Sequence, residues 1–139
     1  MEQNLTFIII DDNVIDILIY KLLLRSIFSN ANIIYFTDAN DGLMFIRENY
    51  TSTARSETIL ILDINMPGMN GWEFLAEFEK MKMAVKKQIR VFIVSFFVNS
   101  ENTELAAADP NVELIISKPL SKEKILALFK VSGAGSIVK

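Results

Sequence analysis

The 139-residue chain has no cysteine and no histidine. The first absence excludes disulfides, thiolate metal sites and thiol nucleophiles, and agrees with a reducing cytosol. The second removes the side chain most often used as a general base near neutral pH, and with it any Ser/His/Asp triad or imidazole-bound zinc. Chemistry must therefore come from carboxylates, hydroxyls, lysine or arginine, or from a group carried by another molecule. Glycine and proline are scarce, at five and three residues, which argues against a disordered or fibrous chain. A positive field is lacking too: fourteen basic and seventeen acidic residues leave a formal charge of -3, so direct nucleic-acid contact and attachment to an anionic membrane are not expected. No apolar run is long enough to span a bilayer. The opening residues MEQNLTFIII, followed by Asp11 and Asp12, lack the basic start and cleavage site of a signal peptide. A cytoplasmic protein is expected.

What is present is an apolar content of 51%, enough for one packed domain at this length. That domain is expected over residues 1–131, with a frayed tail at 132–139. Short β-branched runs alternate with stretches of helical periodicity. Strands are expected at Leu5–Ile10, Asn32–Thr37, Thr58–Leu62, Ile89–Val94 and Val112–Ile116. Helices are expected at Val14–Phe28, Ala39–Tyr50, Trp72–Met83, Ser100–Ala108 and from the cap Ser121 to Val131, with a polar loop at Thr51–Glu57. In the first helix Ile15, Ile19, Leu23 and Ile27 recur at the spacing of a buried face. Five strands alternating with five helices imply an α/β fold, a five-stranded parallel sheet doubly wound by helices on both faces. In such sheets ligands bind beyond the carboxyl ends of the strands.

Polar residues stand at that edge after four strands: Asp11 and Asp12, then Asp63, Ser95 and Lys118. Each alone has an ordinary structural use, the acid pair as a cap, the serine as a turn former, Lys-Pro as loop. Together they argue for one pocket. Three crowded carboxylates repel unless a cation sits among them, and a hard divalent ion with oxygen ligands, Mg²⁺ above all, suits such a site. A lysine and a hydroxyl then remain to hold an anion.

These residues resemble the receiver domains of two-component response regulators, a flavodoxin-like fold. The matching pieces are Ile10-Asp11-Asp12, the run from Leu62 through Asp63, Ile64, Asn65 and Met66-Pro67-Gly68-Met69-Asn70-Gly71, then Ser95, and Lys118-Pro119-Leu120. The resemblance covers roughly residues 4 to 131. It implies that Asp63 is the nucleophile that accepts a phosphoryl group from a sensor histidine kinase or phosphotransfer protein. It also implies that Asp12, Asp63 and the Asn65 backbone carbonyl hold Mg²⁺, with Asp11 reaching it mainly through water. Lys118 would pair with one phosphoryl oxygen and Ser95 with another, moving a surface that a downstream protein target reads. On this reading the chain is a stand-alone signalling phosphoprotein rather than an enzyme, promoting only its own phosphorylation and dephosphorylation. With its ammonium placed at an exposed sheet edge, Lys118 is expected to matter for switching more than for folding.

Three positions depart from the family pattern. Phe96 stands where a small residue is usual, with Phe97 next, and Ile115 occupies the position of the aromatic switch residue. One phenylalanine is expected to pack against the following helix and the other to shield the site. A ring at Phe97 would slow hydrolysis of the aspartyl phosphate by excluding water. The first helix carries Ile17, Leu18 and Leu24 as well, an excess that is either core or a surface for the kinase. The alternative function is a receiver-like interaction module that works without phosphorylation. A phosphoaspartate phosphatase would need an acid where Asn65 stands, and no Ser/Thr-rich phosphate loop follows the first strand as a flavodoxin requires.

Overall fold

The computed structural model describes residues 5–51 and 57–131. The expected loop at Thr51–Glu57 (residues 52–56) and the expected tail at 132–139 lie outside them. In chain order the elements are β1 (Leu5–Ile10), α1 (Val14–Ile27), β2 (Asn32–Phe36), α2 (Ala39–Asn49), β3 (Glu57–Leu62), α3 (Gly71–Glu79), α4 (Met83–Lys86), β4 (Ile89–Ser95), α5 (Ser100–Ala108), β5 (Val112–Ser117) and α6 (Lys122–Val131). The strands form one sheet in the order β2-β1-β3-β4-β5, parallel at every pairing.

The central strands are apolar at nearly every position because both faces are covered. Side chains alternate across a strand. Ile8, Ile10, Leu60, Leu62, Val91 and Ile93 meet α2, α3, α4 and α5 on one face. Phe7, Ile9, Ile59, Ile61, Phe92 and Val94 meet α1 and α6 on the other. From β1 the chain goes outward to β2, then back across to β3, so its direction reverses between β1 and β3. A crevice opens at such a reversal, beyond the carboxyl ends of the two strands.

Among the described residues six helices form where five were expected. The helix anticipated over Trp72–Met83 ends at Glu79, where Lys80 N–H donates to Glu77 and Met81 N–H to Phe78, the tighter bonding common at helix ends. Met83–Lys86 is a separate turn that carries Val85 into the core. In α1 the buried residues are Ile17, Tyr20 and Leu24, not the Ile15/Ile19 series. The spacing is the same, but Val14, Ile15, Leu18, Ile19 and Leu22 face solvent. A helix apolar on most sides gives periodicity no contrast by which to choose the inner face.

Candidate functional site

Backbone pairing runs one residue past the strands at the carboxyl edge. The N–H of Asp11 donates to the Phe36 carbonyl at 3.1 Å, that of Asp63 to Ile10 at 2.9 Å, and that of Lys118 to Ser95 at 2.8 Å. The sheet thus holds the three residues by their main chain, with Asp11 and Asp63 flanking the β1/β3 crevice. Asp11, Asp63 and Ser95 are buried, while Asp12 is exposed. One carboxylate oxygen from each of Asp11, Asp12 and Asp63 lies within 4.8 Å of the others. All three donors are hard oxygens, so the set fits Mg²⁺ and suits a soft metal poorly. Asn65, two residues beyond Asp63, is exposed on the loop leading to α3.

That loop is tightly built. Asn70 caps α3 in a capping box with Glu73, and Gly71 N–H donates to the Ile64 carbonyl at 2.8 Å. After β4, the Ser95 hydroxyl accepts from Phe97 N–H at 3.1 Å, leaving its proton free to donate elsewhere. The Lys118–Pro119 peptide is cis, and Ser121 caps α6 through Lys124 N–H.

Lys118 is not at an exposed edge. Its side chain is 4% exposed, with the ammonium 3.0 Å from Asp11, 2.9 Å from Asp16 and 3.7 Å from Asp63. Burial alone would make the ammonium a stronger acid, but the hydrogen bonds to Asp16 and Asp11 outweigh it and hold its pKa above the ordinary lysine value. Asp16 escaped the sequence reading because an acid in a helix's first turn has a ready explanation in the helix dipole. The available signal was Asn13, which caps α1 by accepting from Ile15 and Asp16 N–H and so orients that first turn.

Phe96 and Phe97 are 65% and 60% exposed, so neither ring packs into the core. The ring over the site is that of Phe96, its centroid 5.1 Å from the Lys118 ammonium, within cation–π range. Ile115 packs half-buried against the α2–α5 side of the core.

Burial pushes the Asp63 carboxyl up to about 6, with the Asp11 charge adding to the rise and Lys118 opposing it. Asp11 is raised too, by burial, against the Asn13 N–H and Lys118. An acid whose pKa is higher folded than unfolded binds more protons in the folded state, so stability falls as pH climbs from about 4, the unfolded value, to about 6. Metal-free protein is therefore expected to be less stable at about pH 7.5 than at about pH 5. The Asp63 share is up to roughly 3 kcal/mol for a shift of this size. Urea unfolding of wild type and Asp63→Asn at both pH values checks this. An equally steep dependence in the variant would assign it to other groups.

The sequence matches the family model of the response regulator receiver domain over residues 7–130. Among solved structures, a response regulator receiver protein from Dyadobacter fermentans is 28% identical with a TM-score of 0.82, over 93% of this chain and 98% of that one. A two-component response regulator from Cytophaga hutchinsonii is 25% identical with a TM-score of 0.82, over 96% and 99%. A chemotaxis protein from Vibrio cholerae shares the fold at 19% identity and a TM-score of 0.72, over 91% and 97%. Curated protein sequences yield no match. Among the described residues no helix is long and apolar enough to cross a membrane.

Proposed function

The chain belongs to the response regulator receiver family, and from that premise we propose that it is a cytoplasmic phosphoacceptor, modified on Asp63 by a histidine kinase or phosphotransfer protein. The observation that carries this reading is the meeting of Asp11, Asp12 and Asp63 with the Lys118 ammonium at one crevice. A carboxylate oxygen of Asp63 attacks the phosphorus of a phosphohistidine. The new P–O bond forms as the P–N bond breaks, and the electron pair returns to the imidazole nitrogen, which takes a proton. The absent histidine is thus supplied by the partner.

Asp12, Asp63 and the Asn65 carbonyl would hold Mg²⁺, with Asp11 reaching it through water because its oxygens already serve Asn13 N–H and Lys118. When bound, the ion neutralises charge on the transferring phosphoryl oxygens. Lys118 pairs with one of those oxygens. Ser95 donates its hydroxyl proton to another, drawing in the loop after β4 and shifting the α5, β5 and α6 surface toward a downstream protein target. The exposed stripe Val14, Ile15, Leu18, Ile19 and Leu22 suits the helical bundle of a kinase, as an apolar patch beside an anionic site.

The test is incubation with Mg²⁺ and acetyl phosphate, read by intact mass. A single labile phosphoryl adduct is expected in wild type and none in Asp63→Asn. Asp12→Ala or a chelator should abolish it as well, since the crowded carboxylates need the ion. An adduct that survives Asp63→Asn refutes the assignment. No adduct in wild type would favour a receiver-like module that binds its partner without phosphorylation.

A further inference from the structure

The function just proposed requires Lys118 to reach the phosphoryl group, yet the ammonium is held elsewhere. It is 2.9 Å from Asp16 and 3.0 Å from Asp11, but 3.7 Å from Asp63. Asp16 comes from the first turn of α1 rather than from a strand end. Its side chain is only 19% exposed and is directed at a buried ammonium, which an acid serving the helix dipole alone would not require.

One turn further along α1 lies Tyr20. It is buried, and its hydroxyl is the only buried side-chain polar atom among the described residues that makes no hydrogen bond. Tyr20 stands four residues after Asp16 on the same face of α1, and its pKa is raised, chiefly by burial. An unpaired buried donor is costly, and native structures seldom keep one without a reason.

We propose that Asp16 and Tyr20 are positioning residues that exchange Lys118 between two states. At rest Asp16 holds the ammonium off the phosphoacceptor. When the ammonium turns to the phosphoryl group on Asp63, the Tyr20 hydroxyl donates to the carboxylate left behind. The movement required is small, because the lysine is already within ion-pair range of Asp63 at 3.7 Å. A phosphoryl group carries more charge than the Asp16 carboxylate and attracts the ammonium more strongly at equal distance. The exchange rests on the phosphoacceptor reading, and it predicts opposite effects for two substitutions on one helix face.

The experiment uses the whole chain with Asp16→Asn, Tyr20→Phe and each combined with Lys118→Ala, treated with acetyl phosphate at saturating Mg²⁺ and followed by intact mass. Asp16→Asn is expected to raise the rate of adduct formation by roughly three- to tenfold, less than or equal to the change that about 1.4 kcal/mol produces. Tyr20→Phe should lower it by a similar factor with an unchanged or higher thermal midpoint, because the resting state loses only an unpaired hydroxyl. Both effects should vanish without Lys118. A rate that Asp16→Asn leaves unchanged or lowers, or effects that persist in Lys118→Ala, overturn the proposal. A crystal structure of Asp16→Asn supplies a readout independent of chemistry: the Lys118–Asp63 separation should contract from 3.7 Å to hydrogen-bond distance, and a lysine that stays in place also overturns it. If wild type takes no phosphoryl group, the proposed function fails while the lysine position still decides this inference.

Discussion

Lys118→Ala is expected to lower folding stability by roughly 3 kcal/mol in metal-free protein at about pH 8, as well as to abolish phosphorylation-dependent switching. The buried ammonium is the counter-charge of Asp11, Asp16 and Asp63, and its removal leaves those carboxylates without a cation. The expectation that Lys118 matters for switching more than for folding assumed an ammonium at an exposed edge, whereas the side chain is buried. The loss has a pH signature. Asp63 already has its pKa raised to about 6 with the lysine present, and losing the lysine raises it further. Stability in the variant therefore falls as pH rises through the interval above the unfolded carboxyl value of about 4, and is recovered as pH falls and the acids take up protons. Urea unfolding at about pH 5 and pH 8, with and without Mg²⁺, measures this. The deficit should be largest at the higher pH without the ion and should shrink when Mg²⁺ is added. A deficit under about 1 kcal/mol under every condition would show that the ion pairs contribute no more than exposed ones do.

Gly71→Ala should be comparably severe, for a steric reason. A Cβ on Gly71 would lie 2.7 Å from the Asp63 carbonyl oxygen and 2.8 Å from the Ile64 Cα. Both obstacles are main chain and cannot rotate away, so α3 would have to lift from the strand end that carries Asp63. A loss of roughly 2 to 4 kcal/mol is expected, in the range of overpacking against a rigid neighbour, together with slower adduct formation as Asp63 shifts. Gly68 is the control. Its φ of 74° favours glycine but a Cβ there meets nothing, so Gly68→Ala should cost only about 1 kcal/mol and leave the reaction near wild type. Thermal melts and acetyl phosphate kinetics on the two variants separate the cases. Equal, small losses would mean that the backbone around Gly71 relaxes easily.

Most of the fold is legible in the chain because four of its five strands are short apolar runs that lead into an acid, a serine or a lysine. The run Phe7–Ile10 before Asp11 and the run Ile59–Leu62 before Asp63 each state both a strand and its carboxyl end. The cap Ser121 was equally plain. The break after Glu79 was hidden, since Lys80, Met81 and Lys82 are all good helix formers, and the separate turn that follows is what carries Val85 into the core.

The sequence by itself determined the alternation of strands and helices, the parallel sheet it requires, and the gathering of Asp11, Asp12, Asp63, Ser95 and Lys118 at one edge. Those follow from local periodicity and from the chirality of crossover connections, which need no knowledge of distant contacts. Only the tertiary structure decided which face of α1 is buried, that Phe96 and not Phe97 lies over the lysine, and that Lys118 is enclosed among Asp11, Asp16 and Asp63. Asp16 and Lys118 are separated by 102 positions in the chain. Whether a charge is solvated or buried against its partner depends on how α1 settles on the sheet, and no window of sequence contains both ends of that contact.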